Sequence, residues 1–214
     1  MAIVVIGGHS RNVGKTSLVC GLVAAMSDCG WTAVKITQFG HGVCSRHGEP
    51  CDCAPAELDH AYAIDEEHDR SGRTDTSRYL AAGARRALWV RTRQGKLAEA
   101  MPELRGRLAQ AANIIIESNS VMQFLRPDVY LSVLDPQTED FKDSARLYLD
   151  RADALVVHAA SQAAWAAGAK WNSVSLKPAA NKPQFSVAPP TYCTAEIVEF
   201  VRRRLQLGEP RCAS

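Results

Sequence analysis

The ten residues Gly8-His9-Ser10-Arg11-Asn12-Val13-Gly14-Lys15-Thr16-Ser17 are the part of this chain best equipped for chemistry. Two glycines let a backbone approach a bulky anion, a lysine brings a mobile ammonium, and a hydroxyl follows it directly. At the start of a helix, N–H groups lack acceptors and the dipole leaves partial positive charge, so such a loop can surround phosphate oxygens with main-chain donors. Lys15 would then reach the β and γ phosphates, Thr16 would ligate magnesium, and Ser17 would begin the supporting helix. A bare Gly-Lys-Ser/Thr triplet arises by chance in about one chain in ten of this length, so its surroundings decide. Five residues separate Gly8 from Gly14 in place of the commoner four, and His9 stands where a first glycine usually falls. Inside the loop, His9 is expected to contribute backbone N–H and packing more than proton transfer.

The surroundings are those the chemistry needs. Ala2 to Ile6 is a short, β-branched apolar run ending at Gly7-Gly8, the pattern of a buried parallel strand. After the loop, Leu18, Val19, Leu22, Val23 and Met26 fall on one helical face, and Cys29-Gly30 offers a stop. Further strands are predicted at Thr32–Ile36, Ala87–Val90, Asn113–Glu117, Val129–Leu134 and Ala154–Val157, with weaker ones at Ser173–Leu176 and Gln184–Val187. Helices are predicted near Thr76–Ala84, at Leu97–Leu108 with Pro102 as an interruption, around Phe141–Leu149, and from Thr194 as N-cap to Leu205. The alternation predicts an α/β fold: a mostly parallel sheet with helices on both faces, a three-layer sandwich. One domain spans 1–207, with a tail at 208–214 and a long insertion at about 40–75.

Composition narrows the partners. The 214 residues, 46% hydrophobic, suit one α/β core, and 25 Lys and Arg against 23 Asp and Glu give no field that favours nucleic acid. No run approaches the roughly 20 apolar residues that span a bilayer, and Met1 leads straight into a strand, so no membrane is expected and the location is cytoplasmic. Seven cysteines without a secretion signal read as thiols or metal ligands.

A glycine, five residues ending in Val13, then Gly14-Lys15-Thr16 resembles the loop of dethiobiotin synthetases and cobyrinic acid amidotransferases. Thr32-Ala33-Val34-Lys35, with the later Asp75-Thr76-Ser77-Arg78 and Ala82-Gly83-Ala84, is similar to molybdopterin-guanine dinucleotide biosynthesis protein B. Ile114-Ile115-Ile116-Glu117-Ser118-Asn119-Ser120 resembles the strand ending Val-Glu-Gly in both families, with Ser118 in place of the glycine. These families belong to the P-loop NTPase class that also holds the signal-recognition GTPases, the Min-type ATPases and the nickel-insertion GTPases. The resemblance implies that Glu117 touches magnesium and that Asp75 or Glu117 positions water for hydrolysis. It implies a homodimer and a partner enzyme of cofactor biosynthesis.

His41, Cys44, His47, Cys51, Cys53, His60 and His68 fall within 28 residues of the insertion. Thiolate and imidazole suit zinc, with Cys44, Cys51, Cys53 and His41 the candidate set; the competing readings are reduced thiols in a substrate-facing loop and a redox pair. Arg85, Arg86, Arg91 and Arg93 flank a short strand and would serve an anionic ligand or simply the surface.

Three functions fit these residues. The first is a slow, magnesium-dependent NTPase using ATP or GTP. The second is an ATP-dependent ligase acting on a small carboxylate, and the third a nucleotide-gated metal-delivery factor. No Asn-Lys-x-Asp guanine signature occurs, so the base is left open.

Overall fold

The computed structural model describes residues 1–39, 61–159 and 181–206. The strands are β1 (Ile3–Gly8), β2 (Trp31–Phe39), β3 (Tyr62–Glu66), β4 (Arg86–Arg93), β5 (Asn113–Glu117), β6 (Val129–Leu134), β7 (Ala154–His158) and β8 (Gln184–Val187). The helices are α1 (Lys15–Ala25), α2 (Asp75–Ala81), α3 (Leu97–Leu108), α4 (Asp143–Tyr148) and α5 (Ala195–Arg204). All eight strands form one sheet in the order β3-β4-β2-β5-β1-β6-β7-β8. Every pairing is parallel except β3 with β4. This is the predicted three-layer α/β sandwich.

Strand alternation builds a core on each face. Val4, Ile6, Ala33 and Ile115 face one way and pack with Leu18, Val19, Leu22 and Val23 of α1, Leu80 of α2 and Ile197 and Val201 of α5. Val5, Val34, Ile114 and Ile116 face the other way, against Leu97, Met101 and Leu104 of α3. Each such fully buried aliphatic side chain is worth roughly 1.5–3 kcal/mol relative to exposure. From β1 the chain crosses through α1 to β2, and β5 later inserts between them. The carboxyl ends of β1, β2 and β5 therefore meet at one crevice, where ligands of open α/β sheets bind.

The structure revises or refines several expectations. Residues 62–66, read as part of a structureless insertion, form the antiparallel edge strand β3, and β4 is longer than predicted because it pairs with both β2 and β3. Pro102 does not interrupt α3, because it and Ala98, whose carbonyl loses a partner there, both lie on the solvent face. Helix α2 is capped by Thr74, whose hydroxyl accepts from the Ser77 amide at 3.1 Å, and Asp75 is the first helical residue. Thr194 is the N-cap of α5, as predicted, with its side chain on Glu196 and not on a helix amide. The predicted strand Ser173–Leu176 and the tail 208–214 lie outside the described residues. Among the described residues no helix is long and apolar enough to cross a membrane.

Candidate nucleotide site

Gly8 to Ser17 runs from the end of β1 into α1, so the sheet and an 11-residue helix hold its two ends. Gly14 stands at the N-cap with φ +91°, and a Cβ there would lie 1.9 Å from the Tyr192 ring, so only glycine fits. Having no side chain, it also leaves the helix start uncapped. Among the described residues the amides of Asn12, Val13, Gly14, Lys15, Thr16 and Ser17 find no protein acceptor. A helix start with so many open donors is an anion site in waiting.

The base of the loop is clamped. Gly8 donates to Asn119 Oδ1 at 2.9 Å and accepts from Asn119 Nδ2 at 2.8 Å, a two-point amide pair supplied by the residue two beyond β5. Gly7 makes room for it, since a Cβ there would sit 2.2 Å from Asn119 Oδ1. His158 at the end of β7 donates from Nε2 to the Val13 carbonyl at 3.0 Å. His9 is buried and bridges two backbones: Nδ1 donates to the Asp140 carbonyl at 2.8 Å and Nε2 accepts from the Asp135 amide at 3.0 Å. One nitrogen gives and the other receives, so the ring is neutral, and burial pushes its pKa down to about 4. His9 is therefore a strut and the anchor for a neighbouring segment; the backbone N–H expected of it in the loop is instead given to the Val133 carbonyl at 3.2 Å, because β1 is still paired with β6 there.

Beside the loop the register sets a charge cluster. Lys35 of β2 lies opposite Glu117 of β5, and the alternation turns both toward the face covered by α1 and α2. The Lys35 ammonium bonds Glu117 Oε1 and stands 2.9 Å from Asp75 Oδ2. The Glu117 carboxylate, 3% exposed, also accepts from the Thr16 hydroxyl at 2.7 Å and from the Tyr79 hydroxyl. Burial disfavours the Lys35 charge, but Glu117 and then Asp75 outweigh it, and its pKa is raised. Burial likewise opposes ionisation of Asp75, and Lys35 reverses the balance, so its pKa is lowered. Lys15 has no such carboxylate contact: its ammonium folds back onto the Ser10 carbonyl at 2.5 Å, and burial lowers its pKa to about 8. Arg78 spans from Asp75, 3.8 Å away, to the Ser17 hydroxyl at 3.1 Å.

Lys15, Thr16, Asp75 and Glu117, singled out in the sequence, thus come together at one end of the sheet. In the sequence, Lys35 and Asn119 stand only inside resembling segments without a role of their own, and nothing points to Tyr79 or Lys142. For Lys35 the signal was a lysine in an otherwise apolar buried strand; Tyr79 and Lys142 carry no motif. Cys44, Cys51, Cys53 and His41, the candidate zinc set, lie outside the described residues. Among the described residues no group of three or more His, Cys, Asp or Glu is arranged to hold a metal ion. Two of the strand arginines are used across the edge pair: Arg86 meets Glu66 at 2.7 Å, and Arg91 pairs with Asp65.

No family model and no curated protein sequence matches this chain. Among solved structures it is similar to HypB from Helicobacter pylori in complex with nickel, at 16% identity and a TM-score of 0.48, over 96% of this chain and 86% of that one. It is also similar to LpxK from Aquifex aeolicus in complex with ATP, at 15% identity and a TM-score of 0.45, over 87% of this chain and 53% of that one. A Zn(II)-bound triple mutant of the YjiA GTPase aligns at 14% identity and a TM-score of 0.41, over 92% of this chain and 60% of that one. What those proteins bind is a property of those proteins.

Proposed function

We propose that this chain is a magnesium-dependent P-loop nucleoside triphosphatase. The observation that carries the reading is the run of six amides, Asn12 to Ser17, left without acceptors beside the Lys15 ammonium and the Thr16 hydroxyl. Those donors suit the phosphates of ATP or GTP, and Lys15 adds charge where the transferred phosphoryl group becomes more anionic.

The side chains present also suit magnesium. Thr16 gives its proton to Glu117 and accepts a long contact from Lys35 at 3.5 Å, which leaves a hydroxyl lone pair for a hard cation, with a carboxylate behind it. When bound, the ion would neutralise phosphate charge. Glu117 is enclosed by Thr16, Tyr79 and Lys35, so its task is to orient Thr16. Asp75 is the more accessible carboxylate, its side chain 44% exposed, and it is the better residue to orient an attacking water. Lys35 holds both acids in place and favours the charge on Asp75. This division of labour keeps the water-positioning role that the resemblance to molybdopterin-guanine dinucleotide biosynthesis protein B implies for Asp75, and replaces the implied Glu117–magnesium contact by a role through Thr16; a cytoplasmic homodimer serving a partner enzyme follows from the same resemblance as part of the proposal.

The test is thermal unfolding of the purified protein with ATP, GTP and their diphosphates in magnesium. A triphosphate present at 100 times its Kd is expected to stabilise the fold by about 2.7 kcal/mol and so to raise the melting temperature by several degrees. The nucleotide giving the larger rise identifies the base. If none of the four moves the transition, the loop does not bind nucleotide and the proposal fails.

One observation favours the ligase reading as a second. An open cleft of about 770 Å³ lies against the same ends of the sheet, lined by Gln38, Gln94, Gln123 and Arg146, with Asp143 and Asp150 also on its wall. It offers room and hydrogen bonds for a second substrate. A small carboxylic acid that raises ATP turnover severalfold would select this reading, and turnover indifferent to a panel of such acids would remove it.

A further inference from the structure

Between β6 and α4 the chain is strapped across the phosphate loop. Four bonds make the strap: the Asp135 amide to His9 Nε2 at 3.0 Å, His9 Nδ1 to the Asp140 carbonyl at 2.8 Å, the Ser10 hydroxyl to Asp140 Oδ2 at 2.8 Å, and the Lys142 amide to the His9 carbonyl at 2.8 Å. The last of these fixes Lys142 on the rim of the loop, and the Phe141 ring packs against His9 at 5.2 Å.

Five lysines lie among the described residues, and four have protein partners for their ammonium groups. Lys15 bonds the Ser10 carbonyl, Lys35 bonds Asp75 and Glu117, Lys96 bonds Glu99, and Lys182 bonds the Asp150 carbonyl. For the Lys142 ammonium the described residues supply no hydrogen bond and no ion pair, although the residue is half-buried. Of the carboxylates on its own segment, Asp140 accepts from the Ser10 hydroxyl. Lys142 stands within the fields of Arg11 and Lys35 as well as of Asp140 and Glu117, and Lys15 feels its charge in turn. A partly desolvated cation set among other cations is unfavourable until an anion joins them.

We propose that Lys142 is a second phosphate-binding lysine, carried to the loop by the strap, which holds the terminal phosphate of a nucleoside triphosphate and makes the site prefer triphosphate over diphosphate. The terminal phosphate is its ligand because Lys35 and Glu117, whose fields it shares, flank Thr16, the end of the loop where Lys15 and magnesium would act. The inference rests on the reading that the loop takes a nucleoside triphosphate.

The experiment is titration calorimetry of wild type, Lys142→Met and Lys142→Arg with ATP, ADP, GTP and GDP in magnesium. Lys142→Met removes a charge and no protein bond of the side chain, so its urea unfolding curve should match or exceed wild type. Loss of one charged contact is expected to weaken triphosphate binding about tenfold, diphosphate binding less than twofold, and Lys142→Arg should restore most of the difference. Equal affinities in Lys142→Met and wild type would overturn the inference and leave the loop reading standing. An equal loss for both classes of nucleotide would overturn the assignment to the terminal phosphate. Wild type that binds none of the four would remove the reading beneath it, and the inference with it.

Discussion

Replacing Lys15 by alanine should weaken triphosphate binding about 100-fold while leaving the free protein at least as stable as wild type. The two halves of that result have one cause. In the free protein the Lys15 ammonium bonds only the Ser10 carbonyl, and burial has pushed its pKa down to about 8, so the fold gains little from the charge. In the complex that same desolvated charge faces phosphate oxygens, and an interaction in a site shielded from water is stronger than one at the surface. The amides of Asn12 to Ser17 remain, so residual weak binding should persist. Calorimetric titration and a urea unfolding curve on the same preparation check both halves. An unchanged dissociation constant would exclude Lys15 from the site; a large loss of stability would mean that it holds the loop together.

Lys35→Met is expected to do the reverse, costing about 3–5 kcal/mol of stability. Its ammonium stands between Asp75 at 2.9 Å and the Glu117 carboxylate, and Glu117 is 3% exposed. Without Lys35 the buried Glu117 carboxyl would lose its ion-pair partner and keep only the Thr16 and Tyr79 hydroxyls as hydrogen-bond partners. In a chain of this size the loss corresponds to a fall of about 10 °C in melting temperature. The double variant Lys35→Met/Glu117→Gln should recover a substantial part of it, because a neutral amide can still bond both hydroxyls. Urea denaturation of the two single variants and the double variant gives the coupling directly. A Lys35→Met protein within 1 kcal/mol of wild type, on the scale of an exposed surface pair, would mean that the cluster is solvated and that Glu117 is not held by it.

What the sequence alone determined is what local pattern determines. The β-branched run before Gly7-Gly8, the spaced apolar residues after Lys15 and the glycines of the loop specify a strand, a helix and a turn between them. Strand alternation with helices then specifies a parallel sheet, and Asn113–Glu117 and Val129–Leu134 fall where their apolar runs begin and end. Lys15 and Thr16 were legible because their task depends on neighbours in the chain.

The remainder depended on contacts between residues far apart. Glu117 meets Lys35 because β5 inserts beside β2, and it meets Thr16 and Tyr79 because α1 and α2 cover that face. No local spacing encodes those distances. Residues 62–66, Tyr-Ala-Ile-Asp-Glu, are too short a run to stand out inside a long polar insertion, and they form a strand by pairing with the edge of β4. Asn119 follows a strand as an ordinary polar residue, and the fold turns it under Gly8. Lys142, one charge in a polar stretch, is brought to the phosphate loop by hydrogen bonds to a histidine more than 120 positions earlier. Periodicity and turn chemistry act over a few residues and can be read along the chain. Which charges end up sharing a buried space is settled by strand order and register, and these exist only once the sheet has formed.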